Sequence, residues 1–143
     1  MGRAAIHCGG AGAGQAAKAC NNMILAATMI VTCEAFVLAE KLGLSHQALF
    51  DVASRSSGQS WSLTTYCPVP GPVPGSPANR DYQPGFAAAL MAKDLGLAAE
   101  AAAQTGARTP MGATALELYR EFLAQGGGGT DFSGIIRMLR GAA

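Results

Sequence analysis

The longest feature in the pattern of apolar and polar positions runs from Gly14 to Leu42. It has neither Pro nor an interior Gly, is mostly Ala, Leu, Met, Ile and Val, and meets Gly43 where a helix would end. This predicts one helix of about 28 residues, roughly 42 Å long at 1.5 Å per residue. A domain of this size has a radius of gyration of roughly 14 to 15 Å, so such a helix crosses the whole body. Met23, Ile24, Leu25, Met29, Ile30, Val31, Phe36, Val37 and Leu38 cover nearly every face. The helix is therefore expected to be buried on most sides.

Shorter blocks follow. Ser45 is an N-cap for a second helix through about Ser54, with Leu49, Phe50 and Val52 inward and Asp51 outward. Arg55 to Ser60 breaks the pattern, and Trp61 to Tyr66 predicts a further turn or two of helix. Cys67 to Pro84 holds all but one of the seven prolines and predicts an irregular surface loop. Phe86 to Gln104 reads as a strong helix. Pro110 opens another through about Ala124, and Asp131 caps a last one through Leu139. Ala4 to Cys8 is too short to assign to strand or extended chain, and no strand is predicted after residue 14. The fold class is all-α: a single domain, residues 1–143, bundled around one long central helix.

Composition narrows the partners. The net charge is +1 and only 13% of the residues are charged, with no clustered Lys and Arg. No nucleic-acid partner and no membrane-surface partner are indicated. The apolar run from Met23 to Cys33 is interrupted by Asn22 and Glu34, short of the roughly 20 apolar residues of a bilayer span, so no transmembrane segment is expected. Nor does the start read as a secretory signal. Cys8, Cys20, Cys33 and Cys67 are scattered and form no metal-ligand spacing, so no metal site is expected; Cys20 and Cys33 read as small apolar residues. His7 and His46 read as structural, since neither has a partner at triad or ligand spacing.

The candidate chemistry lies where a glycine-rich turn opens the long helix. Gly12 to Ala17 matches the dinucleotide pattern G-x-G-x-x-A, and Glu34 follows twenty residues after Gly14. A nucleotide fold, however, needs the acidic residue on a second strand, whereas Glu34 lies inside an unbroken helical pattern. The glycines instead provide a tight turn and a helix start that can approach a neighbouring element or a bound ligand. Lys18 and Asn22 are one turn apart, roughly 40° around the axis, and point the same way. Taken alone, Lys18 is a snorkelling helix lysine, Asn22 a buried amide, and Lys93 with Asp94 a solvated charge pair. Trp61 and Phe86 taken alone fit a core as well as a pocket.

Two separated motifs change those readings. Gly9, Gly12, Gly14, Lys18, Asn21 and Asn22 spell G-x-x-G-x-G-x-x-x-K-x-x-N-N, and Phe86 to Leu95 reads F-A-A-A-L-M-A-K-D-L. With Ser57 to Trp61 and Asp131 to Ile136 in the same order, the chain resembles the β-hydroxyacid dehydrogenase family over nearly all its length. The resemblance implies a C-terminal helical domain of the 6-phosphogluconate dehydrogenase type, with the Rossmann cofactor domain and its Ser-Gly-Gly substrate loop preceding Met1.

The resemblance also implies NAD-dependent oxidation of a 3-hydroxy acid to a semialdehyde. Lys18 would be the catalytic acid/base and Asn22 would orient the substrate. Lys93 and Asp94 would meet the cofactor, and Trp61, Tyr66 and Phe86 would wall the pocket. The chemistry agrees: hydride loss from a carbinol needs the hydroxyl proton to leave, and a lysine receives it once partial burial and the positive end of a helix lower its pKa. Overall likeness favours 3-hydroxyisobutyrate, an acid of valine breakdown, as substrate. Tartronate, glyoxylate and succinic semialdehydes belong to sibling enzymes, and a non-enzymatic oligomerisation module is the alternative outside catalysis. The apolar long helix predicts a homodimer or homotetramer. The compartment would be the cytoplasm of a bacterium or the mitochondrial matrix of a eukaryote.

Overall fold

Gly12 turns into the first helix with φ at 83°, a left-handed conformation that costs glycine little, and no side chain caps the end. A Cβ at Gly12 or Gly14 would meet nothing within 4 Å. The tight-turn reading therefore holds at Gly12, and close packing of the helix start has no counterpart among the described residues. The computed structural model describes residues 12–141. Gly9, Cys8, His7 and the run from Ala4 to Cys8 lie outside them.

The helices are α1 (Ala13–Lys41), α2 (His46–Ala53), α3 (Trp61–Thr64), α4 (Ala88–Thr105), α5 (Pro110–Ala124) and α6 (Ile135–Leu139). Short 3₁₀ turns span Pro77–Arg80 and Phe132–Gly134. There is no strand among the described residues, only an isolated antiparallel bridge between Ala87 and Asp131. The all-α reading stands. Glu34 lies within α1 and is exposed, so the acidic residue of the nucleotide-like pattern sits on a helix.

Each boundary has a local cause. Ser45 caps α2 by accepting from the Ala48 N–H at 3.1 Å, and Ser60 caps α3 by accepting from Leu63 at 3.3 Å. Gly106, left-handed at φ 76°, ends α4, and Pro110 occupies the first turn of α5. Asp131 caps the turn before α6 through the Ser133 N–H.

α1 packs against α3, α4, α5 and α6, and α4 packs against α5. The α1 stripe Asn22, Ala26, Met29, Ile30, Cys33, Phe36 and Ala39 is buried at spacings of three and four. It meets Met91 and Leu95 of α4, Tyr119 of α5 and Phe132, Ile135 and Ile136 in one core. The expectation of burial on most sides fails. Ile24, Val31 and Leu38 stay 57–61% exposed, because α2 to α6 cover one side of α1 only. Val52, expected inward, is likewise exposed, since α2 is too short to bury a second face. Cys20 is exposed too, while Cys33 and Cys67 are packed as small apolar groups.

The membrane argument also needs correction. By length and composition α1 is apolar enough to cross a bilayer, with mean hydropathy 1.8 over its best window. Asn22 and Glu34 interrupt the apolar run without lowering the average enough to exclude a span. In this fold one stripe of the helix is packed into the core, a role that the same composition serves, while its opposite face stays exposed.

The proline-rich segment is irregular as expected, apart from the 3₁₀ turn, but it does not lie wholly at the surface. Cys67, Pro68, Val69, Ser76, Pro77, Ala78 and Tyr82 within it are buried. Asn79 organises it: its Oδ1 accepts from the Gly71 N–H at 3.0 Å, and its Nδ2 donates to Val73 O at 2.9 Å. The Tyr82 hydroxyl donates to Pro68 O at 2.6 Å. These side-chain bonds replace the backbone ladder that proline forbids.

His46 does have a partner. Its Nε2 lies 2.7 Å from Glu40 Oε2, and Arg140 donates to the same carboxylate from Nη2 at 2.8 Å and Nε at 3.2 Å. One carboxylate thus ties the end of α1 to the start of α2 and to the residue after α6. Arg140 first, and then His46, holds the Glu40 carboxyl below its ordinary 4.5, against the opposing effect of burial. A carboxylate with a lowered folded pKa stabilises the fold above its unfolded value and loses that contribution as pH falls through the folded value. Glu40→Gln should therefore lower stability in urea by about 1 kcal/mol near neutral pH. The difference from wild type should close below about pH 4, and a gap unchanged down to about pH 3 would contradict this account.

Candidate active site

α1 and α3 enclose a groove of about 810 Å³ lined by Lys18, Asn21, Asn22, Ile24, Leu25, Thr28, Ser60, Trp61 and Phe86. Four of the residues expected from the sequence, Lys18, Asn22, Trp61 and Phe86, come together here. Asn21, Ile24, Leu25 and Thr28 were missed, although Asn21, Leu25 and Thr28 follow from the same periodicity: Asn21 lies three residues after Lys18, and the face continued beyond Asn22 reaches Leu25 and Thr28. Ser60 was missed as well, and its signal is the cap position before Trp61.

The groove has a polar and an apolar part. Lys18 stands exposed at one end on the second turn of α1. Partial burial of this lysine was expected, but the first turns of α1 extend beyond the helices that cover its middle. Asn22 is only 4% exposed and continues the core stripe. Its Nδ2 donates to Asp94 Oδ2 of α4 at 2.6 Å, and the Asn21 amide donates to its Oδ1 at 3.3 Å. A carboxylate can only accept, so Asp94 fixes which way the Asn22 amide faces. One hydrogen of Nδ2 remains for a ligand. Further along, Thr28 Oγ1 and Ser62 Oγ lie 2.9 Å apart and join α1 to α3.

The aromatic side of the groove is stacked in series. Trp61 lies 5.1 Å from Tyr66, Tyr66 lies 5.2 Å from Phe132, and Phe132 meets Phe86 edge-on at 5.8 Å. Tyr66, expected as a pocket wall, does not line the groove. It backs Trp61 and donates its hydroxyl to Asp131 Oδ1 at 2.6 Å. Burial first, and then that carboxylate, pushes the Tyr66 phenol well above its ordinary value, so it stays a donor. Lys93 is exposed on α4 and does not line the groove, while Asp94 beside it reaches the groove only through Asn22. No group of three or more metal-ligating side chains occurs among the described residues.

Comparison with known proteins gives a consistent picture. A family profile described as "NAD-binding of NADP-dependent 3-hydroxyisobutyrate dehydrogenase" matches residues 12–139. A probable 3-hydroxyisobutyrate dehydrogenase of Mycobacterium tuberculosis is 59% identical over 96% of this chain and 47% of its own length. An NAD-dependent L-serine dehydrogenase of Pseudomonas aeruginosa is 51% identical over 97% of this chain and 47% of its own. The solved structure of Mycobacterium tuberculosis 3-hydroxyisobutyrate dehydrogenase with L-serine superposes at a TM-score of 0.92, with 60% identity, over 94% of this chain and 46% of that one. The chain spans about half the length of the relatives it matches. The groove that gathers the motif lysine and asparagine, and the match across 12–139, lead to one conclusion: the chain belongs to the β-hydroxyacid dehydrogenase family.

Proposed function

We propose that this chain is the helical half of an NAD-dependent 3-hydroxyisobutyrate dehydrogenase that forms methylmalonate semialdehyde. A Rossmann half would precede it and complete the site. The observation that carries this reading is the shared groove, which sets an ammonium and a fixed amide beside an apolar aromatic wall. NAD, when bound, supplies the hydride acceptor. Lys93 fits a share in holding that cofactor, because its ammonium is exposed on α4 one residue from the Asn22–Asp94 bond.

The chain's own residues account for the rest. Lys18 takes the hydroxyl proton at Nζ, and closure of the groove by the preceding domain would provide the burial that this half lacks. Asn22, held by Asp94, donates its second amide hydrogen to the substrate hydroxyl or carboxylate. Leu25 receives the substrate methyl, and Trp61 and Phe86 keep water from the reacting carbon.

L-serine is a second reading, supported by the relatives that carry its name. It is a 3-hydroxy acid with an ammonium where 3-hydroxyisobutyrate has a methyl. Among the described residues no carboxylate lines the groove, and Asp94 is engaged by Asn22. An ammonium would enter beside the Lys18 ammonium and without an anionic partner, so the methyl-bearing acid is the better fit. Cofactor reduction by the full-length protein should run faster per unit concentration with 3-hydroxyisobutyrate than with L-serine; the reverse order would transfer the assignment. Lys18→Ala should reduce kcat by about 10²–10⁴-fold, the usual range for losing a general acid/base. Turnover retained in the Lys18→Ala, Asn22→Ala double variant would leave the non-enzymatic reading.

The exposed face of α1 supports a homodimer, or a tetramer built from it. Ile24 and Leu38 each lie seven residues from Val31. A twofold axis at Val31 would therefore set Ile24 of one copy against Leu38 of the other. Val31→Glu, exposed in the isolated fold, should convert the assembly to smaller species in sedimentation without changing the helical content. An unchanged mass would remove α1 from the interface. The compartment would follow the host, cytoplasm in a bacterium and mitochondrial matrix in a eukaryote.

A further inference from the structure

Asp131 is fully buried, and no cation pairs with it among the described residues. Five donors surround it instead. Oδ1 accepts from the Tyr66 hydroxyl at 2.6 Å, the Gly85 N–H at 2.9 Å and the Phe86 N–H at 3.0 Å. Oδ2 accepts from the Ser133 N–H at 3.0 Å and the Ser133 hydroxyl at 2.5 Å. The arrangement uses the acceptor capacity of both oxygens and asks nothing of them as donors.

The backbone around it is fastened in the same place. Phe132 donates to Phe86 O at 2.8 Å, and Ala88 donates to Thr130 O at 2.8 Å. Gly85 has no room for a side chain, since a Cβ there would lie 2.7 Å from the Tyr66 hydroxyl. A carboxylate far along the chain thus fixes both the peptide that carries Phe86 and the ring that backs Trp61. Trp61 and Phe86 are the two aromatic members of the groove, and they belong to segments twenty-five residues apart.

We infer that Asp131 is a positioning residue for the substrate: acting through Tyr66 and the Gly85–Phe86 peptide, it sets the spacing of the Trp61–Phe86 wall and so the fit of the hydroxy acid's side chain. A cap serving only the helix start would need Oδ2 and Ser133 alone. The three bonds on Oδ1 serve the wall.

Two variants separate these roles. Tyr66→Phe keeps the ring and removes one bond to Oδ1. Asp131→Asn keeps the shape, but its amide can accept on one side only. Tyr82→Phe is the control, because it removes a buried hydroxyl bond of equal length, to Pro68, away from the groove. Trp61 is the single tryptophan of this chain, and its anisotropy decay reports local motion without substrate. Tyr66→Phe and Asp131→Asn should raise the amplitude of its nanosecond motion by about twofold, and Tyr82→Phe should leave it unchanged. An unchanged amplitude in Tyr66→Phe would overturn the inference even if Asp131→Asn failed to fold.

The role in substrate fit rests on the proposed function and is read in the full-length protein. There both variants should raise KM for the hydroxy acid several-fold and leave KM for NAD unaltered. Equal changes in both, or in neither, would reduce Asp131 to a structural cap. A wild-type protein that oxidised no hydroxy acid would defeat the proposed function while leaving the anisotropy result standing.

Discussion

The bond between Asn22 and Asp94 joins the core to the chemistry. Asn22 occupies the position that the buried stripe of α1 would otherwise give to an apolar residue, with Ala26 and Met29 next in line. An amide taken out of water without a partner costs on the order of 1–3 kcal/mol, so α4 must present an acceptor opposite it. That requirement fixes the rotation of α4 about its axis. Met91 and Leu95 then face the core, Asp94 faces Asn22, and Lys93 faces solvent. The two separated motifs are therefore one constraint seen from two helices.

Much of this was legible in the sequence. Helix existence follows from periodicity, and Ser45, Pro110 and Asp131 announce their helices because capping is a local matter. The pairing of Lys18 with Asn22 is likewise local, a consequence of 3.6 residues per turn. What lay beyond the sequence is contact across distance. Nothing near Asp94 says that it will meet Asn22, since the partners are 72 residues apart. Tyr66 could be expected near the pocket from its neighbours, but the direction of its hydroxyl depends on Asp131, 65 residues away.

The failed expectation about the burial of α1 has a plain cause. An apolar helix reports that its surface prefers to leave water, not which object will cover it. In α1 the helices that follow cover one stripe, and Ile24, Val31 and Leu38 remain outside. The proline-rich segment erred in the opposite direction. Proline removes backbone donors, which suggests an open surface loop, yet Asn79 and Tyr82 supply side-chain bonds that let the segment be buried.

The same asymmetry explains why the site looks unfinished at Lys18 and finished at Asn22. The amide is buried in the bundle and held there by Asp94 and Asn21. The lysine sits on turns of α1 that no other described helix covers. In a protein divided between two domains this separates two tasks. The helices of this chain hold Asn22 and the Trp61–Phe86 wall through packing and the Asp94 and Asp131 bonds. The other half would close over Lys18 and change its surroundings from water to protein. Proton transfer would then be enabled only when the site is shut, while the recognition surface stays in place throughout.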